Sequence, residues 1–198
     1  MGVSTGATAS DAQTDGRAAT KLVGWTASVF EAVEPNVEAR RRHLRALGVS
    51  PTIFDQPDNR MSVEVDRAIW RRLIGLCPRE ELVPLAASKV KGSHLGLAGF
   101  LCMAAATIGD GLRLHAKYRL LLGDDALSLI RDEHDNAVVV LAGPCAGEMA
   151  PALESLFATY TQAIRAWSQA PVFPAFVEFK HARRSTKRHA FKGGITID

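Results

Sequence analysis

The chain has 198 residues, of which 47% are hydrophobic and 23% charged, with a mean hydropathy near zero and a formal net charge of +3. That is the profile of a soluble globular domain with a sizeable core, or of one domain with an extension. A net charge this small implies by itself neither a nucleic acid nor a membrane as partner.

The distribution of charge says more than its sum. Residues 180–192, KHARRSTKRHAFK, hold six Lys or Arg and no acid, so the remainder is mildly acidic with a net charge of −3. The three cysteines, Cys77, Cys102 and Cys145, are widely spaced and odd in number. With no signal peptide ahead of them, they point to reduced thiols and a cytoplasmic protein.

Residues 1–20 are small and polar and are expected to form a disordered leader. One domain is expected over 21–198, helical over 21–122 and α+β over 123–198. Leu22 to Val33 places Leu22, Trp25, Val29, Phe30 and Val33 at helical spacing. Asn36 can cap a second helix, which Gly48 and Pro51 end. Ser50-Pro51 then opens a short turn of helix. Ser62 can cap a third helix, with Val65, Ile69, Leu73 and Leu76 on one face and Pro78 closing it. Pro84 breaks any continuous helix after that, unless the helix begins close to it.

The longest apolar run, Leu95 to Ile108, is 14 residues long, short of the roughly 20 needed to cross a bilayer. No membrane partner is expected. The run is expected to be a buried helix from about Gly96 to Ala106. At TIGD, Thr107 and Asp110 form a capping box with a short acid. A second helix follows, carrying Ile108, Leu112, His115 and Leu122 on one stripe and ending at Gly123.

ALSLIRDEHDNAVVVL reads as a hairpin with its turn signal at Asp135-Asn136. The clearest helix follows: Met149, Leu153, Leu156, Phe157, Tyr160, Ile164 and Trp167 keep the 3.6 period. In FPAFVEFK, Ala175, Val177 and Phe179 alternate with Glu178 and Lys180, and GGITID can form one more short strand. Adjacent strands joined by a short loop are antiparallel. The expected fold is therefore α+β, a helix-rich domain with a small antiparallel β-sheet and strand–strand–helix–strand order in the C-terminal half.

No phosphate loop, dinucleotide fingerprint, paired-cysteine metal site or nucleophile elbow is present, so neither an enzyme nor a cofactor is expected. Of the six histidines, His43 and His134 read as solvated, and His181 and His189 belong to the basic segment. His94 can cap or line something. His115 lies on an inward stripe, where a buried imidazole needs partners. It can satisfy a backbone carbonyl, bond an effector, or bind haem iron. Cys102 reads as a small buried hydrophobe, and Asp124-Asp125 as a solvated turn. Trp70, Phe100, Tyr118 and Trp167 are core aromatics or the walls of a ligand cavity. The basic segment is a solvated turn or a phosphate contact.

Three stretches carry a resemblance: HLRALGVSPTIFDQPDNRMSVEV, then GSHLGLAGFLCMAAATIGDGLRLHAKYRLLLGDDALSLIRD, and FPAFVEFKHA. The Leu-Gly-x-x-Gly helix, the Lys117-Tyr118 pair and the Leu-rich close are the most specific features. Together they resemble the N-terminal effector domain, loosely called arabinose-binding, of AraC-type bacterial transcription regulators, over roughly residues 37–198. The resemblance implies a ligand-sensing and dimerising domain that binds a small, largely apolar effector as a homodimer. It implies DNA contact only through a C-terminal helix-turn-helix region not in this chain. Candidate effector contacts are Trp70, Leu97, Phe100, His115, Tyr118 and Trp167. The alternative is a haem- or gas-binding sensor with His115 as axial ligand.

Overall fold

The computed structural model describes residues 19–89, 91–123, 127–133, 136–142, 149–169, 171–179 and 194–197. Its order is β1 (Thr20–Leu22), α1 (Gly24–Val33), α2 (Val37–Ala46), β2 (Arg60–Ser62), α3 (Val63–Leu76) and α4 (Arg79–Lys89). A 3-10 turn (Gly92–Leu95) leads into α5 (Gly96–Met103) and α6 (Ile108–Tyr118), which a second 3-10 turn (Arg119–Leu121) closes. Then come β3 (Leu127–Glu133), β4 (Asn136–Ala142), α7 (Ala150–Ser168), β5 (Phe176–Phe179) and β6 (Gly194–Ile197). The fold is α+β and helix-rich, as the sequence indicates.

The helix starts follow local chemistry. The side chain of Asn36 accepts from the Ala39 amide at 3.0 Å, and Ser62 accepts from Val65 at 3.2 Å, so each satisfies an amide that the helix leaves unpaired. Thr107 likewise accepts from the Asp110 amide at 3.1 Å. Here Asp110 takes the Thr107 hydroxyl at 2.7 Å instead of reaching the backbone amide, because an aspartate is one carbon too short for a full capping box. Gly48 ends α2 at φ +69°, a left-handed conformation that a Cβ disfavours.

Several expectations need correction. The first helix begins at Gly24, because Leu22 is in β1, which pairs antiparallel with β2 through Lys21↔Met61. Thr20, the last residue of the expected leader, also belongs to β1. Residues 51–54 form consecutive hydrogen-bonded turns instead of a helical turn. Pro84 meets the exception that the sequence allows, since it lies inside α4 close to the helix start. It is tolerated because the helix starts five residues earlier, so the proline removes one bond, to the carbonyl of Glu80. The apolar run ends its helix at Met103, and Ile108 and Leu76 are more than a third exposed instead of facing inward.

The small sheet is a set of two-stranded pieces. β3 and β4 form the expected antiparallel hairpin, in register from Leu127↔Ala142 to Glu133↔Asn136. Asn136 is therefore a strand residue, and its turn partners His134 and Asp135 lie outside the described residues. β5 and β6 pair parallel, Phe176↔Gly194 to Phe179↔Ile197. Val177 and Phe179 are buried and Glu178 is exposed, as the alternation requires; Ala175 is exposed and precedes the strand.

The main core is built from α1, α3 and α4, with Phe30, Ile69, Trp70, Leu73 and Leu82 fully buried. A second cluster joins Val83 and Ala87 of α4 to Ala158 of α7 and to Val177 and Phe179 of β5. α1 meets the first 3-10 turn at Gly24, where an added Cβ would lie 2.6 Å from the His94 carbonyl oxygen. Backbone cannot swing aside as a flexible side chain can. Gly24→Ala is therefore expected to cost about 1–3 kcal/mol, measured as a lower melting temperature, whereas Gly75→Ala, which meets nothing within 4 Å, leaves packing unchanged.

Candidate functional site

Three polar constellations interrupt the apolar interior. The first joins β1, α1 and α3. Lys21 Nζ sits 2.9 Å from Asp66 Oδ2, and Thr26 Oγ1 donates to Asp66 Oδ1 at 2.6 Å. Asp66 and Thr26 are buried. Beside them the rings of Trp25 and Trp70 lie 4.8 Å apart, tilted by 37°, with the Lys21 ammonium 5.8 Å from the Trp25 ring centroid. Both indole nitrogens are buried without a hydrogen-bond partner.

The second constellation links α4 to α7. Arg79 donates to both carboxylate oxygens of Glu154, through Nε at 2.8 Å and through Nη2. The pair is buried, and it holds the Arg79 guanidinium above its ordinary pKa. Around it the most buried face of α7 consists of Ala152, Glu154, Ser155, Ala158, Thr159 and Ala163. The larger residues of the predicted stripe, among them Leu156, Phe157, Tyr160 and Trp167, are half-buried on its flanks. Small residues allow α4 to approach closely, and this decides which face is the deepest.

The third constellation lies between α6 and α7. His115 is 4% exposed, and its Nε2 is in short hydrogen-bond contact with the Tyr160 hydroxyl, the rings meeting edge to face at 4.9 Å. Burial pushes the imidazole down to about 4, so it is neutral at physiological pH. Burial raises the Tyr160 phenol, helped by the nearby Cys102. Cys102 donates to the Gly111 carbonyl at 3.2 Å, and burial raises its thiol against the pull of the His115 backbone amide. It is thus a buried, unreactive thiol, as expected from its sequence position. Iron ligation by His115 would require Tyr160 to move away from Nε2.

The six predicted contacts are not gathered in one place. Trp70 is fully buried in the first constellation, and His115 lies in the third. Tyr118 is half-buried one turn beyond His115, with Lys117 Nζ 5.3 Å from its ring centroid. Trp167 is half-buried near the end of α7. Leu97 and Phe100 point outward, 63% and 54% exposed, and with Met103 they form an apolar ladder on α5. Sequence reasoning missed Lys21, Thr26, Asp66, Arg79 and Glu154, because long-range ion pairs leave no periodic signal. A buried Asp66 one turn before Trp70 on an inward helix face is the one hint that was available.

Two other histidines are partnered. His43, expected to be solvated, accepts from Arg72 Nε at 3.1 Å and stacks on Phe30. Partial burial, then Arg72, holds its pKa low. His94 Nδ1 accepts from the Lys91 amide at 3.0 Å, which makes it a turn-former. An open cleft of about 110 Å³ between α1, α2 and the 51–55 turns is lined by Glu31, Arg40, Arg41, Phe54 and Asp55 and contains none of the predicted contacts. Among the described residues no three His, Cys, Asp or Glu side chains are grouped to hold a metal, and no helix is long and apolar enough to cross a membrane. Cys145, His181, His189 and the basic segment lie outside the described residues.

The described residues form a helix-rich α+β domain, and most of its buried polar side chains bond one another across helices. The family described as "Arabinose-binding domain of AraC transcription regulator, N-term" matches residues 39–193. The chain belongs to this family. No curated protein matches it in sequence.

Proposed function

We propose that this domain senses a small, largely apolar effector in the cytoplasm of a bacterium and passes its binding to a DNA-reading region beyond this chain. The family match over residues 39–193 carries the reading. The packing supports it. α5 packs on α6 and α4 on α7, and His115–Tyr160 is a hydrogen-bonded link from the first pair to the second. An effector that favours one arrangement of this seam shifts the population of the domain. Trp70, His115, Tyr118 and Trp167 are the contacts to test. The domain itself carries out no reaction.

Leu97, Phe100 and Met103 suit a different task. Three exposed apolar side chains on successive turns of α5 fit a second copy of the same helix across a two-fold axis, giving a homodimer matched to paired half-sites. A thermal-shift screen of small metabolites tests sensing, since a ligand of the native form raises the melting temperature. Sedimentation of the chain and of L97E/F100E tests assembly; the wild type is expected to be dimeric and the variant monomeric. No stabilising metabolite together with a monomeric wild type would dispose of the proposal.

A further inference from the structure

Among the described residues, five buried side-chain polar atoms have no hydrogen-bond partner, and two of them are indole nitrogens of neighbouring tryptophans. Trp25 Nε1 and Trp70 Nε1 are both shielded from solvent, and neither has an acceptor. Buried indole N–H groups ordinarily find one. The two donors belong to neighbouring rings whose centroids lie 4.8 Å apart. The acceptors nearby are already committed. Asp66 takes Lys21 on one oxygen and Thr26 on the other.

We infer that the Trp25–Trp70 pair is the polar anchor of a ligand site for an uncharged, mainly apolar molecule carrying one acceptor oxygen, such as a ketone, lactone or amide carbonyl. The class follows from three observations. The unmet groups are donors, so the ligand must accept. The adjoining Lys21–Asp66 pair is neutral overall, so a charged ligand would lack a counter-charge and a carboxylate would lie beside Asp66. The surroundings are indole faces and the apolar core cluster to which Ile69 and Leu73 belong, which favour an apolar body. Trp25 is half-buried, as is Lys21, so the pair has one side toward the surface. Trp25, Lys21 and Thr26 all precede residue 39, where the family match begins. The inference rests on the effector-sensing reading and locates the effector's polar end.

The test is the indole region of a ¹H–¹⁵N correlation spectrum of the full chain, which has three tryptophans. Cyclohexanone, γ-butyrolactone and ε-caprolactam are titrated as probes, with cyclohexanecarboxylate as the charged comparator. At least one neutral carbonyl probe should move the Trp25 and Trp70 N–H signals downfield and raise the melting temperature. Trp25→Phe keeps an aromatic ring and removes the N–H, and it should abolish most of that rise. If none of the neutral probes moves either signal, or if the carboxylate moves them equally, the inference is overturned. Magnetisation transfer from water to both indoles, unchanged by every probe, would assign the site to a buried water alone. The spectrum of the unchanged chain decides even where Trp70→Phe fails to fold. Metabolites that stabilise the chain without touching either indole would leave sensing intact and refute this site. Indole shifts with these probes, but no metabolite that stabilises the chain, would support the site and count against the sensing role.

Discussion

Glu154→Ala is expected to remove about 3–5 kcal/mol of stability, read from the urea midpoint of the purified chain. Arg79 is the first residue of α4, where the positive end of the helix dipole disfavours a cation. Glu154, reaching across from α7 with both carboxylate oxygens, makes that position tolerable. Both side chains are largely withdrawn from water, 14% and 5% exposed. Removing the carboxylate leaves a desolvated guanidinium facing small residues of α7. Arg79→Met has the mirror effect on Glu154. The double variant R79M/E154L should recover most of the loss, because two apolar side chains can fill the space that a buried ion pair occupies. A double variant as unstable as the singles would mean that the pair provides more than mutual neutralisation.

The second large effect is set by pH. His115 titrates near 4 in the folded protein and near 6.5 when unfolded, because burial disfavours the imidazolium. Between those values the unfolded chain takes up a proton that the native one refuses. Stability therefore rises with pH through this window, is fully present above about pH 6.5, and is lost as pH falls toward 4. The difference amounts to about 3 kcal/mol. The measurement is comparative. Urea midpoints at several values between pH 4 and 7 should show a steeper decline in the wild type than in His115→Gln. Equal slopes would mean that the imidazole is protonated, or reached by water, in the native state. The variant should also be less stable at pH 7, since glutamine lacks the ring that meets Tyr160 edge to face.

Signals that lie within a few residues of one another were legible in the sequence. Asn36, Ser62 and Thr107 each cap the helix that follows, and Gly48 takes the left-handed turn, because a cap needs only its neighbours three residues on. The inward place of His115 and Cys102 was also legible from periodicity. What periodicity could not show is which of two faces goes deepest. On α7 it favoured Leu156, Phe157 and Trp167, whereas Ala158, Ser155 and Thr159 let α4 come nearest. The same limit applies to Leu97 and Phe100. An apolar helix in sequence says that a face must be covered, but not whether the cover is in this chain. For Pro84 the sequence leaves two outcomes open, a break or a helix that starts close before it, and α4 takes the second. The polar constellations were illegible because each joins residues 40 to 75 positions apart, such as Thr26 with Asp66 and Arg79 with Glu154.

The strand at the start of the fold has a consequence for where this domain can be cut. One edge of β1 pairs with β2, and the Leu22 amide on the other donates to the Leu122 carbonyl at 2.8 Å, with Lys21 bridging to Gly123. Arg60 stitches the same junction, donating to Thr20 Oγ1 at 2.9 Å and to the Leu121 carbonyl at 3.0 Å. Three segments distant in sequence thus meet on three residues. A fragment begun at residue 39, where kinship becomes detectable, would open both seams at once and expose the floor of α3. The matched range and the cooperative unit do not coincide here, and the shorter piece would melt as a loosened remnant.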